Sequence, residues 1–262
     1  MNPGDLARRL LAVREGAPLI GELNSELKLE SLAEAYRVAD SVVAALETNL
    51  GRVSGFKVGA TSLGGQKLLG LGEPFYGRIC ERKLLANDAV WGDPIGTCTV
   101  EAEIGFVLCA DLPPRAQAYS PLEVRTAIGL ALPLLEINRP AYSAPLTVGG
   151  LALIADNGVT QGLVMGTPGH ALHAAGHLAD ETVTLSRNAK SCAQGQGAVV
   201  LGDPLNAVIW LANALRQQGR GLHTGEVIAS GAMTQHVRGA PGDTFTAEYS
   251  TLGRVAVHFQ DI

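Results

Sequence analysis

Ten residues, TVEAEIGFVL at 99 to 108, constrain this chain more than any others. Read as a strand, the run turns Val100, Ala102, Ile104 and Phe106 to one face and Glu101 and Glu103 to the other. Gly105, Val107 and Leu108 continue the run without charge, so the strand is expected to be buried on both sides. A carboxylate taken out of water without a partner costs several kcal/mol, and two on one face therefore need positive charge beside them. A salt bridge to Lys or Arg or an exposed strand face would answer that need, and so would a divalent cation with hard oxygen ligands. Glu136, in PLLEI, is flanked by apolar residues on both sides and raises the same question, although spacing does not say whether it lies near the other two. Lys57, in GFKVG, occupies an apolar strand in its turn, where an ammonium needs a carboxylate or an anionic ligand.

The composition allows such a strand to be buried. With 262 residues, 47% hydrophobic and 17% charged, the chain suits one large core, or a core with a small appendage. A net charge of −5 without a basic block argues against nucleic acid and against an anionic membrane surface as partners. Charges at Asp5, Arg8, Arg9, Arg14 and Glu15 interrupt the apolar run that a signal peptide would need. No stretch of 18 apolar residues is free of Asp, Asn or Arg, so a cytoplasmic protein without a membrane span is expected. Cys80, Cys98, Cys109 and Cys192 show no CxxC spacing and read as reduced thiols. The 32 glycines and sparse aromatics point to many turns and bulges, hence to much β structure.

Residues 1–52 read as a helical N-terminal part, apolar residues recurring at spacings of three and four between Leu6 and Leu46. Residues 53–262 read as a β-rich core forming one folding unit, beginning with short runs punctuated by glycine. SPLEVRTAIGLALP at 120 to 133 predicts a helix capped by Ser120, with a strand at 134 to 137 after it. Asp203, Pro204 and Gly219 bracket a further helix, and DTFTAEYSTLGRVAVHF alternates as a hairpin turning at Gly253. His170, His173 and His177 have helical spacing but form no recognised ligand motif, and read as a surface segment. GQGAVVLG at 195 to 202 lacks the GxGxxG spacing of a phosphate loop, and the chain has no GxSxG elbow.

Taken in order, GFKVGATS, LGLGEPFYG, VEAEIGFVL, LPLLEI, IADNG, LGDPLNAVIWLANAL, TGEVIASGA and PGDTFTAEYSTLGRVAVHF resemble the 2-keto-4-pentenoate hydratase and 4-oxalocrotonate decarboxylase family, within the fumarylacetoacetate hydrolase superfamily. The resemblance implies an α+β fold, the helical N-terminal part leading into a mixed β roll or sandwich, in a homo-oligomer. It implies that Glu101, Glu103 and Glu136 ligate Mg²⁺ or Mn²⁺, and that Lys57 meets the carboxylate or enolate oxygen of a small-molecule 2-oxo acid. Asp156 is implied as a catalytic residue, and Asn157, Ser230, Gly231 and Thr61 as substrate-binding ones. Three carboxylates leave three positions of an octahedral ion open, enough for a 2-oxo acid to chelate. An enolate stabilised there is common to water addition across a conjugated double bond and to loss of CO₂ from a vinylogous keto acid. Phe75 departs from the family pattern, since hydratases tend to carry an Asp in this stretch. Decarboxylation or ketonisation would then outrun hydration, unless Asp156, Glu73 or Glu226 moves the proton. An acylpyruvate hydrolase is a further alternative, but its His-Glu pair is absent from the N-terminal half; a repurposed metal-binding member is another.

Overall fold

The computed structural model describes residues 3–21, 29–92 and 98–260. Two helices lead, α1 (Pro3–Arg14) and α2 (Leu32–Leu50), followed by β1 (Val53–Gly59), α3 (Leu63–Leu69) and β2 (Phe75–Cys80). Short strands β3 (Leu84–Ala86) and β4 (Ala89–Trp91) precede the long β5 (Thr99–Leu108). Next come α4 (Pro121–Ala127), β6 (Ile128–Asn138), α5 (Gly150–Ala155), β7 (Thr160–Met165) and β8 (His170–Ala171). The remainder comprises β9 (Thr182–Arg187), β10 (Lys190–Gln196), α6 (Leu205–Gln217), β11 (Val227–Ala229), β12 (Val237–Arg238), β13 (Thr244–Tyr249) and β14 (Arg254–Phe259).

The strands form two sheets, one ordered β2-β1-β11-β5-β6-β7-β3 with β12 and β8 paired alongside, the other β10-β9-β13-β14-β4. Phe106, Ile137, Phe245 and Val257 belong to one apolar core between them, which α6 extends through Val208, Leu211 and Leu215. A second cluster joins Leu6 and Leu10 of α1, Val38 and Val42 of α2, and Ala152 and Ala155 of α5. This α+β architecture agrees with the expected fold class.

Some local readings need correction. The helical stretch expected from Leu6 to Leu46 is two helices, because α1 stops at Arg14 and the chain turns through Gly16 at φ +104° and Pro18; residues 22–28 within that stretch lie outside the described residues. The helix expected over 120–133 ends at Ala127, and the strand expected over 134–137 runs from Ile128 to Asn138. IGLALPLLEI is apolar on every side, so its periodicity cannot tell a buried strand from a buried helix, and pairing with β5 from Leu108↔Ile128 to Thr99↔Asn138 decides for strand. The histidine segment lies at the surface as read, with His170 on β8, single 3₁₀ turns following, and His173 and His177 exposed. The Ser120 N-cap, the helix between Asp203 and Gly219 and the Gly253 hairpin stand as expected, except that Pro204 rather than Asp203 occupies the N-cap position of that helix, Asp203 Oδ1 accepting from Leu205 N–H. None of the four cysteines is in a disulfide, Cys80 and Cys98 being buried and Cys109 and Cys192 exposed.

Candidate active site

Strand register assembles the site. Glu101 on β5 stands directly opposite Glu136 on β6, and Glu103 lies two residues along on the same face. Each of the three offers a carboxylate oxygen within 4.8 Å of the others, and all three residues are buried. Tyr249, reaching over from the second sheet, places its hydroxyl between the carbonyls of Glu103 and Leu134 and so ties the two acid-bearing strands together. Beyond Ala229 the neighbouring strand β11 ends, and residues 230–236 run on beside β5: Met233 N–H donates to Ala102 O, and Thr234 Oγ1 accepts from Ala102 N–H. Gly231 N–H donates to Glu103 Oε2 at 2.8 Å. Its φ of +114° favours glycine, and a Cβ there would fall 2.3 Å from Thr61 Oγ1.

Lys57 on β1 reaches the triad through this gap, its Nζ 3.2 Å from Glu136 Oε2. Gly77, its partner on β2, leaves room for the lysine stem, since a Cβ there would lie 3.2 Å from Lys57 Cγ and 2.4 Å from the Asn157 carbonyl. Burial opposes the charge on Lys57, but Glu136, Glu101 and Glu103 outweigh it and hold its pKa above the usual lysine value. Burial pushes the Glu103 carboxyl well up, and Glu136 and Glu101 push it further. Glu136 is also raised, chiefly by burial, with Lys57 opposing. Glu101 is buried too, yet the imidazole of His236 in contact with its Oε1 brings its pKa below the usual range. Glu103 Oε1 and Glu136 Oε1 are buried without a hydrogen-bond donor, and Glu136 Oε2 faces only the Lys57 ammonium. Three hard-oxygen donors with unsatisfied lone pairs, grouped around one point, fit a divalent cation.

The site opens into a cavity of about 710 Å³. Lys57, Glu101, Thr61, Phe75, Tyr142 and His236 are among the residues that line it. Phe75 is buried in the wall, its ring centroid 5.4 Å from Lys57 Nζ and its edge packed where Gly59 and Gly158 lack side chains.

The expected residues separate into two groups. The triad, Lys57, Thr61 and Gly231 come together, and Ser230 is fully buried next to them with an unpartnered Oγ. Asp156 and Asn157 do not join them. Asp156 spends one oxygen on Arg14 at 2.8 Å and the other on Ala141 N–H at 2.7 Å. Asn157 clamps β2, accepting from Arg78 N–H and donating to Arg78 O. The other acids named for proton transfer are also engaged elsewhere: Glu73 accepts from Trp210 Nε1, and Glu226 from His223 N–H. His236 was not singled out by the sequence reading. A lone histidine in TQHVRG carries no periodic signal, and only the path of residues 230–236 along β5 brings it to Glu101.

No protein-family model matches the chain. It is 34% identical over 262 residues to the 2-keto-4-pentenoate hydratase of Paraburkholderia xenovorans (strain LB400), covering 95% of this chain and 91% of that protein. The structure of the 4-oxalocrotonate decarboxylase from Pseudomonas putida G7, complexed with magnesium and adipate, superposes with a TM-score of 0.87 at 26% identity over 98% of this chain and 97% of that one. The fold alone is shared with the fumarylpyruvate hydrolase from Pseudomonas aeruginosa in complex with Mn²⁺ and pyruvate, at a TM-score of 0.60 and 12% identity over 79% of this chain and 89% of that one.

Proposed function

Because the chain belongs to the 2-keto-4-pentenoate hydratase and 4-oxalocrotonate decarboxylase family, we propose that it is a divalent-metal-dependent lyase, a hydratase of 2-hydroxydienoic and 2-oxo acids in the breakdown of aromatic compounds. The observation that carries this reading is the buried triad of Glu101, Glu103 and Glu136, with Glu103 Oε1 and Glu136 Oε1 lacking a donor and Lys57 paired to Glu136, at the inner end of a cavity. These three residues would hold Mg²⁺ or Mn²⁺, which when bound supplies Lewis-acid stabilisation of negative charge on the substrate's oxygens.

The chain's own groups do the rest. Lys57 donates from Nζ to the carboxylate or C2 oxygen of the acid and balances the negative charge that oxygen carries whenever the substrate passes through its enolate form. Gly231 N–H keeps Glu103 aimed into the site, and Thr61 backs Gly231. His236, in the cavity wall beside Glu101, is the imidazole placed to carry a proton between solvent and substrate through Nε2. Phe75 closes the wall over Lys57 and keeps bulk water from its ammonium.

Purified protein, stripped with chelator and then given Mg²⁺ or Mn²⁺, should consume 2-hydroxypenta-2,4-dienoate, seen as loss of dienol absorbance. Metal-independent loss, or none with either ion, would defeat the reading. Decarboxylation is the second reading, supported by Phe75, which cannot activate water at this position. It calls for CO₂ release from 4-oxalocrotonate faster than hydration of the dienoate, and for Phe75→Asp to raise hydration.

A further inference from the structure

We propose that the cavity carries an apolar subsite for an uncharged hydrocarbon tail, so that the preferred substrate is a 2-oxo or 2-hydroxydienoic acid with several carbons beyond the reacting unit and no second carboxylate. This rests on the 2-oxo acid reading above. The first observation is size. At the ~30 Å³ that water occupies per heavy atom, a five-carbon acid of eight heavy atoms takes about 240 Å³. The cavity of about 710 Å³ has room for far more, within the range of pockets that enclose larger ligands.

The second observation is what surrounds that room. Leu19, Leu68, Leu146 and Val199 line the cavity while remaining 38%, 62%, 57% and 50% exposed. One exposed leucine is ordinary, but several converging on one concavity mark a surface that binds apolar matter. They come from four separate segments, with Leu68 on α3, so no single helix face or strand edge accounts for the grouping.

The third observation is the distribution of charge. Among the lining residues the charged or ionisable groups other than Tyr142 are Lys57, Glu101, His236 and Arg238, which belong to β1, β5, the residue before β12 and β12. None comes from α3 or from the lining segments around Leu19, Leu146 and Val199. A second carboxylate directed to the leucines would lose part of its water and meet no cation among the described lining residues there, whereas methylenes would cover side chains now facing solvent.

Calorimetric titration of the Mg²⁺-loaded protein with pyruvate, 2-oxobutanoate, 2-oxohexanoate, 2-oxooctanoate and 2-oxoadipate tests the proposal. Affinity should rise about two- to fourfold for each added methylene. 2-Oxohexanoate should bind at least about tenfold tighter than 2-oxoadipate, which has the same carbon count with a terminal carboxylate. Leu68→Glu combined with Leu146→Glu, at exposed positions where folding should tolerate the change, should shrink the ratio of 2-oxooctanoate to pyruvate affinity by about tenfold or more. A flat series from pyruvate to 2-oxooctanoate, with pyruvate still bound in a metal-dependent way, would overturn the subsite and assign the leucines to burial against a second copy of the chain. Equal or tighter binding of 2-oxoadipate, or a ratio unmoved by the double substitution, would overturn it as well. If no acid binds with metal, pyruvate included, the 2-oxo acid reading fails and takes the subsite with it.

Discussion

Two sets of buried carboxylates in this molecule have opposite surroundings. Glu181, 3% exposed, accepts from Ser250 Oγ, Thr251 N–H, Thr251 Oγ1 and Leu252 N–H, and so locks the turn between β13 and β14. Glu103 and Glu136 are just as buried, yet each has one oxygen without a hydrogen-bond donor, and the other oxygen of Glu136 meets only the Lys57 ammonium. Burial alone therefore does not identify a site. What separates the two is where each oxygen's hydrogen bonds go: a carboxylate whose lone pairs are filled by the fold is holding the fold, and one left unfilled next to another acid awaits a cation.

The largest effect that follows is on metal binding. Glu136→Gln removes one ligand charge and should weaken Mg²⁺ binding by on the order of 10³-fold, about 4 kcal/mol. The apo protein should lose little stability, because relief of repulsion with Glu101 and Glu103 offsets the weakened pairing with Lys57. Thermal unfolding with and without Mg²⁺ separates the contributions, since a ligand that binds the folded state raises the midpoint. A metal-induced rise equal to that of the wild type would refute the contrast. Lys57→Met comes next and should lower kcat/KM by roughly 10²-fold, about 2.7 kcal/mol, through lost charge stabilisation in the transition state. Near-normal turnover of a true substrate would remove Lys57 from the chemistry. Glu181→Gln should do the reverse of Glu136→Gln. It exchanges charge-assisted bonds for neutral ones and should cost about 2 kcal/mol of stability in denaturant unfolding, while the metal-induced rise in midpoint stays as it was.

The sequence reveals one side of this contrast more readily than the other. Glu101 and Glu103 are visible because strand side chains alternate, and two acids in an apolar run break the pattern in a way that needs a cause. Glu136 is visible as an acid in an apolar context, but its place opposite Glu101 depends on β5–β6 register, a long-range quantity that no spacing encodes. The same register turned Ile128–Pro133 from an expected helix into strand, because an unbroken apolar run carries neither helical nor strand periodicity. A helix start written in local chemistry, the Ser120 N-cap, is legible to the residue. His236 and Tyr249 are not, because each acts through a contact made far along the chain.

Asp156 is the intermediate case and the smallest expected effect. By resemblance it belongs with the catalytic residues; by position it belongs with Glu181, since Arg14 and the Ala141 N–H take its two oxygens. Burial pushes its pKa up against the opposing pull of Arg14, so ionisation in that place is itself costly. A neutral amide would recover part of that cost and could still accept from Ala141 N–H, while Arg14 would keep its bond to the Asp156 carbonyl. Asp156→Asn should therefore destabilise by only about 1 to 2 kcal/mol, less than the usual penalty for breaking a buried ion pair. Assayed well below its unfolding midpoint with metal present, the variant should keep kcat within about threefold of the wild type, because neither oxygen reaches the cavity. If kcat instead fell 10²-fold or more with stability nearly unchanged, Asp156 would be moving a proton. The rule that committed oxygens mark structural carboxylates would then fail at the position where sequence and geometry disagree most.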